Sequence, residues 1–213
     1  MAAVRLHTVL PDYRGRVRLR VRFFPLEVDG GEPAPRDILE QEWWLAAQQE
    51  PAAVFVPYRG DTWPTTTLPA FRAAWSAFQL DEAAGYDYDL RVRRAFFGES
   101  RDIGRREVLL AIAQEAGLDL PRFAQLLDSG RSETAVLTER RLGREEYGVR
   151  GTPTLMLPDG ARLRHPIAFP VMRQRRVVGV RPLPCCGDGC LAATRDLFEE
   201  ALRHGAPAAG SAA

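Results

Sequence analysis

Three cysteines lie within six residues near the C-terminal end of the chain, at positions 185, 186 and 190. Either of the first two could close a disulfide with the third, and Cys186 with Cys190 is the favoured redox pair because Cys190 directly precedes the last predicted helix. Three thiolates could also hold a metal. Structural zinc normally uses four ligands in two pairs, and the sequence has no second pair, so we expect no metal. Partly buried cysteines in a Gly/Pro turn are the interpretation that we favour over both.

The composition excludes several classes of function. The chain has 29 basic residues, all of them arginine, and it contains neither lysine nor asparagine. Without lysine there is no Schiff base, no pyridoxal phosphate attachment and no P-loop lysine, and without asparagine there is no N-glycosylation site. The net charge of +1 creates no overall field toward nucleic acid or an anionic membrane, so neither is an expected partner. No cofactor is expected.

Targeting signals are also missing from the sequence. No apolar run approaches the ~20 residues that span a bilayer, and residues 1–16 lack the apolar stretch of a secretory signal. The odd, clustered set of cysteines differs from the disulfide framework of a secreted protein. The sequence therefore predicts a cytoplasmic protein.

Apolar spacing in the first two thirds of the chain predicts one strand and many helices. Arginines alternate with apolar residues over 16–24, which is typical of a strand with one buried and one wetter face. A short helix precedes this segment at 3–12, and helical periodicity dominates from Asp37 to Tyr147. Four tryptophans in this helical block are expected to be core or cavity-lining residues: Trp43, Trp44, Trp63 and Trp75.

Strand patterns return after the helical block. Short apolar runs between turn signals predict strands over 154–157, 162–164 and 177–180, followed by an amphipathic helix over 191–203. This order of elements predicts an α/β fold whose sheet is interrupted by a helical insertion. We assign residues 1–30 and 148–204 to a discontinuous sheet domain, 31–147 to the insertion and 205–213 to a disordered tail.

The most informative segment runs from Gly148 to Thr154, where the chain leaves a helix and enters an apolar strand. Thr152 and Pro153 stand at the entrance of that strand. A proline there often marks a tight turn or a cis bond, because an X–Pro bond lowers the cost of the cis form to roughly 0.5–1 kcal/mol. An ordinary helix-to-strand turn is the alternative.

In context, this segment resembles the cis-proline loop of thioredoxin-fold proteins of the DsbA type. The stretches 94–104 and 108–119 resemble the helical insertion of that family, and residues 23–26 resemble the end of the strand before it. The resemblance covers roughly residues 4–203. It implies a thioredoxin-like α/β fold with an all-helical insertion and the activity of a thiol-disulfide oxidoreductase.

The resemblance also implies a substrate and a place for it. Thr152 and Pro153 would form the loop that faces an extended substrate, as in strand addition. The substrate would be a thiol- or disulfide-containing protein or small molecule. No further partner is implied.

The chain departs from the family's pattern at its N-terminal end. In the family a first strand leads into Cys-x-x-Cys at a helix start, where the helix lowers the pKa of the first thiol. Here only Met1 precedes the first predicted helix, and no cysteine occurs before Cys185. The first strand is therefore missing, and we expect that Met1 is not the natural start. The rival hypothesis is a degenerate paralogue that borrows a strand from a partner.

Three functions stay open. The first is a DsbA-family thiol-disulfide oxidoreductase whose dithiol lies upstream of the given residues. The second is a catalytically inactive thioredoxin-like module that binds peptides at Thr152 and Pro153. The third is a glutathione-dependent isomerase or transferase on the same fold, in which a single Ser or Cys replaces the dithiol.

Overall fold

The structure is a computed structural model that describes residues 1–28, 35–163, 169–181, 185 and 188–205. The helices in these residues are α1 (Ala2–Val9), α2 (Arg36–Gln49), α3 (Leu68–Leu80), α4 (Glu82–Glu99), α5 (Arg106–Glu115), α6 (Leu120–Asp128), α7 (Arg131–Glu145) and α8 (Asp188–Gly205). A 3-10 turn, Leu10–Tyr13, continues α1. The strands are β1 (Leu155–Met156), β2 (Arg162–Leu163), β3 (Pro170–Arg173) and β4 (Arg176–Val180).

Helices α2 to α7 pack around an aromatic-rich core. Helix α3 lies against α4, α6 and α7, and its buried Ala73 and Ala77 let these neighbours approach closely. Tyr88 is fully buried, donates its hydroxyl hydrogen to the carbonyl of Leu109 at 3.0 Å and lies with its ring 5.2 Å from that of Phe123. Burying a side chain of this size stabilises the fold by about 1.5–3 kcal/mol, so these helices have a substantial core of their own.

Local signals in the sequence fix the ends of these helices. The Asp81 carboxylate accepts a hydrogen bond from the Ala84 amide at 2.8 Å, and Asp119 accepts one from the Arg122 amide at 3.1 Å. Both bonds satisfy amides that have no partner inside the helix. Gly117 follows α5 with φ +69°, a conformation that glycine adopts without steric cost. Helix α5 therefore ends just before this glycine.

Helices α3 and α4 come into direct contact at Gly85. A β-carbon added to Gly85 would overlap the ring of Phe78 and would lie 2.9 Å from the Phe78 Cα. Nonbonded carbon atoms do not approach so closely in a well-packed interior. The spacing of the two helices therefore depends on the absence of a side chain at this position.

The predicted strand at 16–24 is wrong, although its two faces are as expected. Arginines 18, 20 and 22 are exposed and the apolar residues between them are partly or fully buried, but no strand forms in this part of the described chain. A strand needs a neighbouring strand to pair with, and none lies beside this segment in the described residues. The alternating sequence pattern therefore predicted correctly which side chains are buried, but it predicted incorrectly that the segment pairs with another strand.

Side chains supply the hydrogen bonds that a neighbouring strand would have made. The Glu139 carboxylate accepts a bond from the Phe23 amide at 2.8 Å. Arg140 donates to the carbonyls of Pro25 and Val28 at 2.8 and 2.9 Å, and the Tyr86 hydroxyl donates to the Leu19 carbonyl. Helices α7 and α4 thus hold the extended segment in place through individual side chains.

The described strands form two separate antiparallel pairs, β1 with β2 and β3 with β4. The predicted strands at 154–157 and 162–164 are present in shorter form as β1 and β2, the predicted strand at 177–180 begins one residue earlier as β4, and β3 was not predicted. The β3–β4 hairpin contacts α2, where Gln41 accepts a hydrogen bond from the Val177 amide at 3.0 Å and donates one to the Arg175 carbonyl at 3.2 Å. One glutamine therefore fixes the hairpin to the insertion.

Helices α1 and α8 pack together and form a second, smaller core. Val9, Tyr13 and Phe198 are its buried residues. A fully buried arginine links α1 to the end of α2, because Arg5 donates to the Glu50 carboxylate at 2.7 Å and to the Gln49 carbonyl at 2.9 Å. The two cores are thus joined by a buried ion pair as well as by the chain.

Two further predictions need correction, and one stays a prediction. Trp44 is 71% exposed and is therefore not a core residue, whereas Trp43 is buried as expected. The predicted tail began at residue 205, but that residue closes α8, and residues 206–213 lie outside the described part of the chain. The division into a sheet domain and an insertion remains a prediction.

Candidate functional site

The Thr152-Pro153 loop is positioned by the end of α7. After the helix the chain turns at Gly148, with φ +57°, and the Val149 amide donates to the Gly143 carbonyl at 2.8 Å. The Thr154 hydroxyl then donates to the Gly151 carbonyl at 2.6 Å, just before β1 begins. These local bonds shape the loop without using the side chains of Thr152 or Pro153.

The loop is presented to solvent at the entrance of a strand. Thr152 and Pro153 are both exposed, and the peptide bond between them is cis. In the described residues β1 pairs with β2 on one edge only, so its other edge is unpaired there. An unpaired edge next to an exposed loop offers backbone donors and acceptors to an added extended segment.

The turn after β1 is tied to the end of the last helix. Asp159 accepts a hydrogen bond from the Ala161 amide at 2.9 Å, and its carboxylate lies 3.2 Å from the His204 ring. The Ala161 amide and the His204 ring lower the pKa of Asp159. His204 thus contacts the β1–β2 turn, a contact that the sequence did not indicate because 45 residues separate the pair.

The structure pairs Cys190 with Cys185, and this corrects the predicted Cys186–Cys190 pair. The two sulfurs form a disulfide across a sequence separation of five residues. Cys186 lies outside the described residues. Cys190 is 1% exposed in the first turn of α8, whereas Cys185 is half-buried before the helix. The C-x4-C spacing, one of the two that the sequence allowed, is therefore the one used.

This disulfide closes a short loop, so it stabilises the folded state less than a disulfide that closes a long one. In the chain-entropy model a loop of this length stabilises the folded state by about 2 kcal/mol, against about 4.7 kcal/mol for a 100-residue loop. Helix α8 is also held by other contacts: Phe198 is buried against Tyr13, with ring centres 4.9 Å apart, and the Tyr13 hydroxyl donates to Glu199 at 2.7 Å. These contacts hold the helix in addition to the disulfide.

The loop and the disulfide lie on different elements. Thr152 and Pro153 precede β1, and the disulfide stands at the start of α8, which packs on α1. The loop and the disulfide are therefore two separate candidate sites. Among the described residues no three His, Cys, Asp or Glu side chains are grouped so that they could hold a metal ion. His165, which could in principle be a distant fourth ligand beside the three thiolates, lies outside the described residues.

A basic cleft beside α7 was not indicated by the sequence. It has a volume of about 450 Å³ and brings together residues far apart in the chain. Its lining residues are Val28, Leu137, Arg140, Arg141, Arg144 and Glu145. Helical spacing could have shown that the three arginines share one side of α7, but nothing local places Val28 opposite them.

A comparison with known proteins identifies the family and the fold of the chain. A family model described as the DSBA-like thioredoxin domain matches residues 2–179. The chain belongs to this family. The expected DsbA-type thioredoxin fold is therefore confirmed, in a form that is rich in helices and has a few short strands.

One curated relative of this DSBA-like protein matches a smaller part of the chain than the family model does. The uncharacterized protein YwbO of Bacillus subtilis is 31% identical over 82 residues, which cover 38% of this chain and 41% of YwbO. The match thus spans less than half the length of that curated relative.

Solved structures show the likeness over more of the chain. The cytosolic disulfide reductase DsbM from Pseudomonas aeruginosa matches with a TM-score of 0.66 and 22% identity, over 95% of this chain and 92% of DsbM. The same reductase with GSH matches with a TM-score of 0.62 and 24% identity, over 76% and 82% of the two chains. At these identities the likeness shows the fold. In the described part of this DSBA-like chain, no helix is both long and apolar enough to cross a bilayer.

Proposed function

We propose that this DSBA-like protein takes part in thiol-disulfide exchange and binds its substrate as an extended segment at Thr152 and Pro153. The observation that carries the proposal is the exposed loop in front of a strand with an unpaired edge among the described residues. Strand addition supplies main-chain hydrogen bonds, which an extended protein segment can satisfy and a small thiol can satisfy only in part. The favoured substrate is therefore a thiol- or disulfide-containing protein.

Family membership supports the same reaction class. DsbM, which shares the fold, is named a cytosolic disulfide reductase. That name also supports our proposal that this protein acts in the cytoplasm. The exchange needs a reactive sulfur, and two sources are compatible with the function: the cysteines at 185–190, or a dithiol that precedes Met1 in a longer chain.

The test uses a substitution that blocks the loop without touching the core. Thr152→Arg places a long charged side chain at an exposed position, and Thr138→Arg does the same on the exposed face of α7 as a control. The rate at which the protein promotes reduction of a disulfide-containing peptide by dithiothreitol is measured for each. We expect kcat/KM to fall about tenfold for Thr152→Arg, which corresponds to ~1.4 kcal/mol, and to stay unchanged for Thr138→Arg.

A small aromatic disulfide reagent serves as a second substrate. Because it has no extended backbone to pair with β1, its rate should be the same in both variants. Equal losses with peptide and reagent, or no loss with either, would contradict substrate binding at this loop.

The second candidate is a peptide-binding module without turnover. It is favoured by the absence of cysteine from residues 1–184, which include the loop. In that case the protein would bind the reduced and oxidised peptide, Thr152→Arg would weaken binding, and no variant would change the rate of disulfide reduction. A glutathione-dependent relative, the third candidate, would require glutathione and would show no exchange with dithiothreitol alone. The DsbM structure with GSH supports testing it.

A further inference from the structure

We infer that the Cys185–Cys190 disulfide is a redox-active pair that accepts two electrons from a dithiol. This inference rests on the proposed function and locates its reacting sulfurs. Three features of the pair support it. The two cysteines differ in exposure, one of them lies in the first turn of a long helix, and the helix is also held in place by other contacts.

The difference in exposure determines which sulfur is attacked. Cys190 is 1% exposed, so an incoming thiolate cannot reach its sulfur. Cys185 is half-buried and stands before the helix, so of the two residues it is the one that solvent reaches. An attack on a disulfide sulfur expels the other sulfur as a thiolate, and here the expelled sulfur is that of Cys190.

The position of Cys190 favours its departure as a thiolate. It is the third residue of α8, an 18-residue helix whose first amides have no acceptor within the helix. The partial positive charge at this end of the helix attracts the negative charge that develops on the departing sulfur. Asp188 opposes this effect from the same turn, but its side chain is exposed and its charge is screened by water.

The packing of α8 lets the disulfide open without loss of the fold. Leu197 and Phe198 are buried, and Tyr13 stacks on Phe198 and bonds to Glu199. The Thr194 hydroxyl, also buried, donates to the Cys190 carbonyl at 2.7 Å and keeps the first turns helical. The reduced and oxidised forms should therefore share one structure, as reversible redox chemistry requires.

The complete reaction balances in atoms and electrons. A substrate thiolate attacks Sγ of Cys185, the Cys185–Cys190 bond breaks, and Cys190 leaves as a thiolate that takes up a proton. The second substrate thiolate attacks the substrate sulfur of this mixed disulfide and releases Cys185, which is also protonated. The substrate dithiol loses two electrons and two protons and becomes a disulfide, and the protein pair gains both. A disulfide such as oxidised glutathione restores the pair by the reverse steps.

The pair is tested first in the unsubstituted protein. The folded protein is equilibrated in buffers of reduced and oxidised glutathione, free thiols are alkylated, and the alkylated positions are found by peptide mass spectrometry. We expect Cys185 and Cys190 to become alkylated together, in one two-electron transition, with the circular dichroism spectrum unchanged. A disulfide that excess dithiothreitol reduces only after the protein is unfolded would overturn the inference.

Three serine variants then assign the roles. Cys185→Ser should abolish the oxidation of a dithiol peptide, whereas Cys186→Ser, the matched control at the adjacent cysteine, should retain it. Combined with Cys186→Ser, Cys190→Ser should leave Cys185 able to form a mixed disulfide with an oxidised peptide that neither neighbouring position can resolve, so the adduct should accumulate. Cys190→Ala serves in its place if the buried serine prevents folding. Unchanged activity in Cys185→Ser would overturn the inference.

The outcomes separate this inference from the proposed function. If peptide exchange persists without Cys185 and Cys190 but is lost in Thr152→Arg, the function stands and this disulfide is not its redox centre. If the disulfide is reduced reversibly and Thr152→Arg has no effect on peptides, the redox pair stands and the proposed loop site falls.

Discussion

The helical insertion and the extended segment at 17–28 satisfy their backbone groups in opposite ways. Helices α2 to α7 form their backbone hydrogen bonds within each helix and pack around buried aromatic rings such as those of Tyr88 and Phe123. The extended segment has no neighbouring strand among the described residues, and its amides and carbonyls are reached by side chains of Tyr86, Glu139 and Arg140. In the extended segment, therefore, single polar side chains make the backbone hydrogen bonds that a neighbouring strand makes in a sheet.

The largest effect is expected in the aromatic core of the insertion. Phe123→Ala removes a fully buried ring and should lower the free energy of unfolding by about 3–5 kcal/mol, since the cavity adds to the lost transfer free energy. Phe169→Ala, at a phenylalanine that is 50% exposed, is the matched control and should change it by less than about 0.5 kcal/mol. Urea unfolding followed by circular dichroism measures both. Similar losses in the two variants would show that the insertion does not hold the main core.

The extended segment should respond to the loss of one carboxylate. Glu139→Ala removes the acceptor of the Phe23 amide and should destabilise the protein by about 1–3 kcal/mol, because a partly buried amide is left without a partner. Glu145→Ala, which removes an exposed partner of Arg141 on the same helix, should cost less than about 0.5 kcal/mol. The same unfolding measurement applies. If both variants lower the free energy of unfolding by the same amount, the bond from the Phe23 amide to Glu139 does not stabilise the extended segment.

The smallest expected effect is local and lies where the β3–β4 hairpin meets the insertion. Gln41→Ala removes the acceptor of the Val177 amide, so hydrogen exchange at that amide should become faster while global stability falls by at most ~1 kcal/mol. Gln48→Ala, at an exposed glutamine on the same helix, should leave the exchange unchanged. Unaltered protection at Val177 in Gln41→Ala would mean that other contacts hold the hairpin.

Helices could be predicted from the sequence, because their signals are local. The apolar period, the aspartates before α4 and α6 and the glycine after α5 each act within a few residues, and the structure agrees with them. The family could be predicted for a related reason, since the Thr152-Pro153 loop and the insertion are contiguous segments.

Pairing could not be predicted, because it depends on residues far apart. The alternation over 16–24 determines which side chains are buried but cannot supply a neighbouring strand. Trp44 was expected in the core because it is a tryptophan in the helical block, and only the packing of α2 shows that it is exposed. Spacing alone could not decide between Cys185 and Cys186 as the partner of Cys190, because both spacings allow a disulfide.

The contact between Gly85 and Phe78 has a consequence for how sequences of this family can diverge. Since a β-carbon at position 85 meets both the ring and the Cα of residue 78, position 85 cannot enlarge by itself. A smaller residue at 78 would remove the overlap with the ring but not the contact with the Cα. Relatives that carry a side chain at 85 must therefore have a wider gap between the two helices, with larger residues to fill it.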